Sequence, residues 1–146
     1  QPAYFEGQEA RLSFSATRDC YVYLLNVDAG GNVTLVLPNK HSGGPLRAKA
    51  GETIRFPVAG SGLKLVAALP AGASSSVEVL HVIAARDAAD LFTQSDASAR
   101  PIGPYTGLSL GSLGGVARRL AAMDRSRWTM AVAPFHIRKK AQPGKQ

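Results

Sequence analysis

The 146 residues suit one domain, and a chain of this length buries enough surface to fold without a disulfide or a metal. The single cysteine, Cys20, excludes an intrachain disulfide, and no apolar run approaches the ~20 residues of a membrane-spanning helix. The net charge of +7 arises entirely after residue 110, because the positive and negative charges of residues 1–110 cancel. Asp124 is the one acidic residue in the part that follows. The abrupt start at Gln1 indicates a piece of a longer protein or a mature, processed form.

The first predicted elements are a strand and a hairpin. Residues 9–17 alternate between apolar and polar side chains, which predicts a strand with one wet face in an antiparallel sheet. Cys20–Val27 is apolar on both faces, so we expect an interior strand that is covered on two sides. Glycines in residues 28–32 supply the turn, and Val33–Leu37 is the return strand, which ends at a proline.

Two shorter strands and a long one follow the hairpin. Residues 39–51 predict a loop, and residues 52–58 predict a strand that Pro57 restricts to a sheet edge or a strand end. Residues 63–69 predict a short strand. Residues 77–86 predict a second strand with two apolar faces, one with Leu80, Val82 and Ala84 and the other with Val77, Val79, His81 and Ile83.

The last third of the chain holds the predicted helix. Residues 87–92 predict one helical turn, and residues 93–111 predict a long loop that is mobile or functional. Residues 112–124 predict a helix, because Ser112 can cap it and apolar residues recur at helical spacing.

Residues 127–138 predict a last strand that is bent or bulged at Pro134, and residues 139–146 predict a basic disordered tail. Many short strands and one late helix indicate a mainly β fold: an antiparallel β-sandwich (Ig-like) with one α-helix inserted before the last strand. We expect residues 1–138 to be a single β-sandwich domain. We expect one core to contain Cys20, Val22, Leu24, Leu35, Leu65, Val79 and Val82.

The sequence contains no metal-binding pattern. A zinc site needs three or four protein ligands. The three histidines, His41, His81 and His136, have no second ligand at a metal-binding spacing. We therefore expect no metal, and we expect His81 to be a satisfied core or half-buried histidine.

The sequence likewise contains no pattern that indicates a catalytic nucleophile or a cofactor-binding motif. Cys20 lies in an apolar strand, where a buried cysteine is ordinary packing. Ser112 and Ser126 lack a Gly-x-Ser-x-Gly elbow. The glycines of residues 111–116 have neither dinucleotide-binding nor Walker spacing. We therefore expect no catalytic residue and no cofactor.

The charged C-terminal part is the feature that indicates a partner. Its basic side chains would form a positive surface, near residues 101–115, if the helix packs beside the last strand. Such a surface binds an anionic surface or an acidic protein, and a merely solvated face is the alternative. The absence of an aromatic platform disfavours nucleic acid. The candidate partner-binding residues are Arg118, Arg119, Arg125, Arg138, Lys139 and Lys140.

A series of short motifs resembles a known domain family. The motifs are residues 19–28 (DCYVYLLNVD), Gly31-x-Val33-Thr34, Leu37-Pro38-Asn39, Ala50-Gly51 and Phe56-Pro57, after a lead-in with Tyr4, Phe5 and Gly7. They resemble a bacterial family of domains of unknown function. That family occurs in envelope lipoproteins and secreted proteins, and appended to serine/threonine kinases and caspase-like peptidases. The similarity covers most of residues 4–85, and the family's Leu-Phe-Pro-Asn element reads Val36-Leu37-Pro38-Asn39 here.

The resemblance implies a non-catalytic β-sandwich module of a larger bacterial envelope or signalling protein. It implies the cell envelope, periplasmic or lipoprotein-attached, rather than the cytoplasm. The expected partner is a protein or another domain of the parent chain. The alternatives are a structural spacer without a ligand, and a hydrolase that uses Cys20 or an acid pair such as Asp87 and Asp90.

The resemblance brings no catalytic residues to this chain. Residues 37–39, Asn26 and Asp28 are interpreted as structural, because Asn and Asp side chains bond their own backbone in turns. The sequence therefore predicts a binding module whose partner surface lies at the helix rather than at the central hairpin.

Overall fold

A computed structural model describes residues 3–42, 45–87, 91–92 and 100–140 of the chain. They form three layers: a wide central sheet, two short strand pairs on one face, and a helix on the other. Helix α1 spans Leu110–Ala122, and a 3-10 turn, Arg125–Arg127, follows it. The strands are β1 (Ala3–Phe5), β2 (Glu9–Ala10), β3 (Leu12–Ser15), β4 (Cys20–Val27), β5 (Val33–Leu37), β6 (Leu46–Ala48), β7 (Thr53–Phe56), β8 (Leu65–Val66), β9 (Ser75–Ala85), β10 (Pro101–Ile102), β11 (Tyr105–Leu108) and β12 (Trp128–Arg138).

The central sheet contains eight of the described strands in the order β1-β12-β9-β4-β5-β11-β10, with β6 beside the first part of β4. All pairs are antiparallel except β1 with β12. One edge of β4 pairs with β9 from Tyr21 to Val27, and the other edge pairs first with β6 and then with β5. The prediction of an interior strand at Cys20–Val27 is therefore confirmed.

Asp28 holds the turn between β4 and β5. Its Oδ1 accepts hydrogen bonds from the backbone N–H groups of Gly30 and Asn32, both at 2.9 Å. Gly31 has a φ of +82°, a conformation that a residue with a Cβ rarely adopts. The predicted hairpin is therefore confirmed, and its second strand ends at Leu37 as expected.

The second layer consists of two short antiparallel pairs, β2 with β8 and β3 with β7. Because side chains alternate along a strand, Val22, Leu24 and Val82 point to the side of the central sheet that this layer covers. We call this side the second-layer face. Ile54 and Phe56 of β7 pack there. The same core contains Cys20, Val36, Leu37, Ala48 and Tyr105.

The opposite side of the central sheet, the helix face, holds a second core. Tyr23 and Ile83 point to this face and are almost completely buried. Val116 and Leu120 of α1 pack over them, because they lie one turn apart on the apolar stripe of the helix. This core also contains Leu25, Val33, Leu35, Ala85, Leu91 and Leu108.

The predicted fold class, an antiparallel β-sandwich with one helix before the last strand, is confirmed. The prediction of a single core is wrong, because the central sheet is covered on both faces and separates two cores. Leu35 belongs to the helix-side core, whereas Cys20, Val22 and Leu24 lie on the second-layer face. Val79 is only half-buried.

Several strand boundaries differ from the prediction. Residues 9–17 form two strands, β2 and β3, because the chain changes pairing partner between them. The predicted loop at residues 39–51 contains β6, and only Leu65–Val66 of residues 63–69 is paired. Of the predicted bend or bulge at Pro134, the bulge is absent, since β12 keeps its register with β9 throughout. Pro134 is tolerated because the other edge of β12 has no partner at that position among the described strands.

The helix begins at Leu110 rather than at Ser112, because Ser109 is its cap. The Ser109 Oγ accepts a hydrogen bond from the Ser112 backbone N–H at 3.1 Å. The loop prediction for residues 93–111 is wrong in its second half, where β10 and β11 form. The β11 strand pairs with β5, which satisfies its backbone within the central sheet.

Three predictions fall partly outside the described residues. They concern the helical turn, which includes residues 88–90, the long loop, which includes residues 93–99, and the tail, which includes residues 141–146. At the start of that tail, the Lys139 backbone N–H donates to the Ser74 carbonyl at 3.0 Å. None of the helical segments in the described ranges has the length and hydropathy needed to cross a membrane.

Replacing Leu24 by Ala should lower the free energy of unfolding by about 2–5 kcal/mol, because the side chain is fully buried and its removal leaves a cavity. The same change at Leu110, which is 86% exposed, is the matched control and should cost under about 0.5 kcal/mol. Chemical denaturation of both variants measures the difference. A loss below about 1 kcal/mol at Leu24 would contradict the central position of β4.

Candidate functional site

The second layer is narrower than the sheet that it covers, and the mismatch leaves a groove. β3 pairs with β7 on one side only, so its other edge has no strand partner among the described residues. Beyond that edge, β9 and β12 present their second-layer face with Leu80, Val82, Ala131 and Ala133. We call the channel between β3 and this part of the sheet the groove.

Two cavities follow each other along the groove. The first, of about 240 Å³, is lined by Leu12 of β3 and Leu80 of β9. The second, of about 450 Å³, is lined by Phe14 and Ala84 further along the same strands. Strand β7 lines neither cavity, so the β3 edge that faces them is the unpaired one. From Glu78 to Ala84 the floor is about 20 Å long, at the ~3.3 Å rise per residue of a strand.

Glu78 is a buried carboxylate in the wall of the first cavity, only 5% exposed. Its Oε1 accepts a hydrogen bond from the Asn26 Nδ2 at 2.8 Å, and its Oε2 accepts one from the Ser76 Oγ at 3.4 Å. The Asn26 Oδ1 is fully buried and accepts no hydrogen bond from any described residue. Because a carboxylate oxygen accepts more than one bond, the first cavity is rich in unused acceptors.

The charge of Glu78 is not neutralised by a described residue. Arg11 lines the same cavity, but it is exposed and forms no ion pair with Glu78 in the described part of the chain. Burial raises the pKa of the Glu78 carboxyl; hydrogen bonds from Asn26 and Ser76 oppose the rise, and the negative charge of Asp28 adds to it. An unpaired carboxylate in an apolar cavity is costly, so the site favours either a proton or a cation.

The second cavity has cations at its rim. Its wall includes Trp128, and the exposed Arg18 and Arg86 also line it. Arg127 lines it as well, but its guanidinium pairs with the Asp87 carboxylate at 2.6 Å. The exposed Asp19 lines the second cavity too, so its rim holds more cations than acids. The groove therefore has a buried carboxylate at the first cavity and a mainly basic, exposed rim at the second.

The explanation that these polar residues bond their own backbone in turns holds for Asp28 and Asn39 but not for Asn26. Asp28 holds its own turn, and the Asn39 Oδ1 accepts from the His41 backbone N–H at 2.9 Å. Asn26 does not bond its own backbone; it reaches across to Glu78 on the neighbouring strand. It therefore belongs to the first cavity rather than to a turn.

The structure places the six predicted partner-binding residues in two groups at opposite ends of β12. The helix and the 3-10 turn that precede Trp128 hold the first group. The second group lies at the far end of β12, a strand about 33 Å long at ~3.3 Å per residue. The helix group is Arg118, Arg119 and Arg125, and the far group is Arg138, Lys139 and Lys140.

Two of the helix-group cations have structural contacts. The Arg119 Nε donates to the Leu91 carbonyl at 2.8 Å, and the Arg125 guanidinium lies over the Trp128 ring, 4.1 Å from its centroid. Arg118 is exposed. A partner role for these residues stays a prediction, and the length of β12 separates the two groups.

The histidines do not form a metal site. In the part of the chain that the structure describes, no group of three or more His, Cys, Asp or Glu side chains is placed to hold a metal ion. His81 is half-buried as predicted, but it is not satisfied: its buried Nδ1 has no hydrogen-bond partner among the described residues.

The candidate enzymatic groups are poorly placed for catalysis. Cys20 is buried, and burial together with the negative charge of Asp19 raises the pKa of its thiol. A raised pKa leaves little thiolate, the reactive form. The hydrogen bond from Arg127 lowers the pKa of the Asp87 carboxyl, so this group is a poor proton donor. Its predicted partner, Asp90, lies outside the described residues.

Sequence reasoning missed Glu78 as a site residue. The sequence did hold a signal for it: by the alternation of side chains along a strand, Glu78 falls on the same face as Leu80, Val82 and Ala84. A carboxylate in the core-facing positions of an apolar strand is uncommon without a partner. That position could have marked it as a candidate.

The family model described as "Domain of unknown function (DUF4384)" matches residues 3–86, which is more than half of the chain. These residues include β1 to β9 and therefore both β3 and Glu78. No curated protein and no solved structure is significantly similar to the chain.

The raised pKa of Glu78 predicts a pH-dependent stability that Glu78→Gln removes. A carboxyl whose native pKa exceeds its unfolded pKa binds its proton more tightly in the native state. The free energy of unfolding should therefore fall as the pH rises from about 4.5, the ordinary pKa of a glutamate carboxyl, through the native pKa of Glu78. Denaturation midpoints between about pH 4 and pH 8 measure this. Glu9→Gln, at an exposed carboxylate, is the control; equal pH profiles for wild type and Glu78→Gln would show that Glu78 is solvated.

The Cys20 thiol should react slowly with Ellman's reagent in the native protein, because burial limits access and raises its pKa. Stoichiometric, rapid reaction in denaturant is the control for a reduced thiol. Rapid native-state labelling at neutral pH would contradict the buried position and revive the thiol nucleophile.

Proposed function

We propose that this chain, which belongs to the DUF4384 family of domains of unknown function, is a non-catalytic binding module of a larger bacterial envelope or signalling protein. Its groove binds an extended segment of a partner protein. The segment lies beside β3 as an added strand and covers the exposed floor formed by β9 and β12.

The observation that supports this proposal is an unpaired strand edge beside an uncovered apolar floor. Strand addition uses the main-chain groups of such an edge for affinity and the adjacent pockets for specificity. β3 offers its free edge, and both cavities open along it. A floor of about 20 Å accommodates roughly six extended residues at ~3.3 Å each.

The floor and its ends define the chemistry of the segment. Ala84, Ala131 and Ala133 present little side-chain bulk, so the partner backbone can approach the sheet closely. The ends of the groove carry opposite charge, with buried Glu78 at one and exposed Arg18 at the other. Opposed charges favour one direction of the bound segment, because the reversed segment would face like charges.

The helix face of β9 and β12 is the competing surface, since it exposes Val77, Met130 and Val132. The groove is favoured because it combines an apolar floor with a free strand edge and a buried carboxylate. A spacer without a ligand would bind nothing at either surface. The buried Cys20 thiol and the ion-paired Asp87 support a module without catalysis.

The envelope or signalling context is supported by the resemblance of the residues 19–39 motifs to the bacterial family. The sequence of the full-length parent tests it directly. A lipobox, a secretion signal or an adjoining kinase or peptidase domain is expected, and a parent with none of these would contradict the proposed context.

Peptides selected on the wild-type domain from a displayed library of random decapeptides should bind in the groove. Ala131→Arg places a bulky cation on the floor and should weaken such a peptide at least about tenfold, which corresponds to ~1.4 kcal/mol. Val132→Arg, the next residue on the opposite face of the same exposed strand, is the matched control and should bind as wild type. Calorimetry measures the affinities, and thermal melting checks the fold.

Three outcomes would overturn the groove as the partner site. The first is a library that yields no binding peptide, and the second is a set of peptides that bind Ala131→Arg as tightly as wild type. The third is a set of peptides whose binding is weakened by Val132→Arg but not by Ala131→Arg. A domain that dimerises through a surface sensitive to Ala131→Arg would make a second copy the occupant instead. Peptide binding that is lost on charge reversal at Arg118 but is unchanged by Ala131→Arg would show that the partner site lies on the helix.

A further inference from the structure

We propose that the first cavity of the groove is a subsite for one basic side chain, an ammonium or guanidinium group on an apolar stem. The buried carboxylate of Glu78, which accepts a hydrogen bond from Asn26, receives the cationic head. The inference rests on the proposed function for the source of that side chain, which is the segment bound beside β3. It deepens that function by naming what the segment must carry.

The polar end of the cavity has acceptor positions that no described donor fills. Glu78 accepts from Asn26 and Ser76, and each of its oxygens has a further acceptor position. The buried Asn26 Oδ1 is unpartnered among the described residues. An ammonium has three donors and a guanidinium five, and neither has an acceptor, so these groups complement the site. The buried Glu78 carboxylate would repel a carboxylate or a phosphate at this end of the cavity.

The rest of the cavity suits an alkyl stem. Leu12, Leu65 and Leu80 line it together with the edge-to-face pair of Tyr4 and Phe135, whose ring centroids are 5.9 Å apart. Long basic side chains bury their methylene stems along such apolar surfaces. A volume of about 240 Å³ lies below the range of about 300–1,000 Å³ for whole small-molecule sites, which favours a single side chain.

The electrostatic setting attracts a cation. Glu78 is almost completely buried, and the negative Asp28 lies close enough to raise its pKa. Arg11, a cation that lines the cavity, remains exposed without pairing to Glu78. A bound cation would neutralise this charge inside the cavity, where opposite charges interact more strongly than in water. The competing arrangement is a protonated Glu78 that needs no ligand.

n-Butylammonium chloride is the probe, because it is an ammonium on an unbranched apolar stem. In two-dimensional NMR at constant chloride concentration, it should produce saturable shifts at Glu78, Asn26 and Leu80. Glu78→Gln keeps the hydrogen-bonding shape but removes the charge, and it should weaken the binding at least about tenfold, since bonds to a charged group are the stronger ones. n-Butanol is the neutral control ligand, and Glu9→Gln, at an exposed carboxylate, is the control variant.

A second measurement needs no variant. The side-chain 13C shift of Glu78 reports its titration, and saturating n-butylammonium should lower the pKa of this carboxyl. An unchanged titration, the absence of saturable shifts, equal binding by n-butanol, or equal binding by Glu78→Gln each overturns the subsite. Those outcomes would leave Glu78 as a protonated core residue.

The selected peptide separates this inference from the proposed function. Replacing its basic residue by norleucine, a neutral residue with a similar stem, should weaken binding at least about tenfold for the wild type and much less for Glu78→Gln. Peptides that bind in the groove without a basic residue would remove the subsite alone. Amine binding without any groove-binding peptide would remove the proposed function alone.

Discussion

The antiparallel pairing of β4 with β9 is the interaction on which the rest of the structure depends. It places Leu24 beside Val82 and Asn26 beside Leu80 on one face of the sheet. A shift of this pairing by one residue would turn the apolar side chains on each face of one strand toward the opposite core, so the register is strongly determined. The same register brings Asn26 within hydrogen-bond reach of Glu78, and the two cores and the first cavity therefore share one origin.

A wide sheet under a narrow second layer is what turns this fold into a candidate binding module. The helix seals one face near Tyr23, and β7 seals the other near Leu24. Neither covers the second-layer face of β12, where Ala131 and Ala133 are exposed. Many unrelated functions use β-sandwiches, so the function is argued from this groove and its buried carboxylate rather than from the fold.

The sequence predicts the elements whose pattern is local, and it misses those that depend on distant partners. The central hairpin and β9 were predictable because two apolar faces indicate an interior strand. Tyr105–Leu108 reads as a loop because it is short and contains glycine, and only its pairing with β5 makes it a strand. The Glu78–Asn26 contact joins residues 52 positions apart, so no local pattern announces it. The two basic groups are close in sequence, but the length of β12 separates them.

Amide hydrogen exchange of β3 tests the central claim most directly. In the free domain, the β3 amides that do not bond to β7 should exchange rapidly, because that edge has no described strand partner. With a saturating selected peptide, the same amides should become protected, since an added strand would accept their hydrogen bonds. Protection that appears along the free edge of β12, or on α1, while the β3 amides stay unprotected would contradict strand addition in the groove.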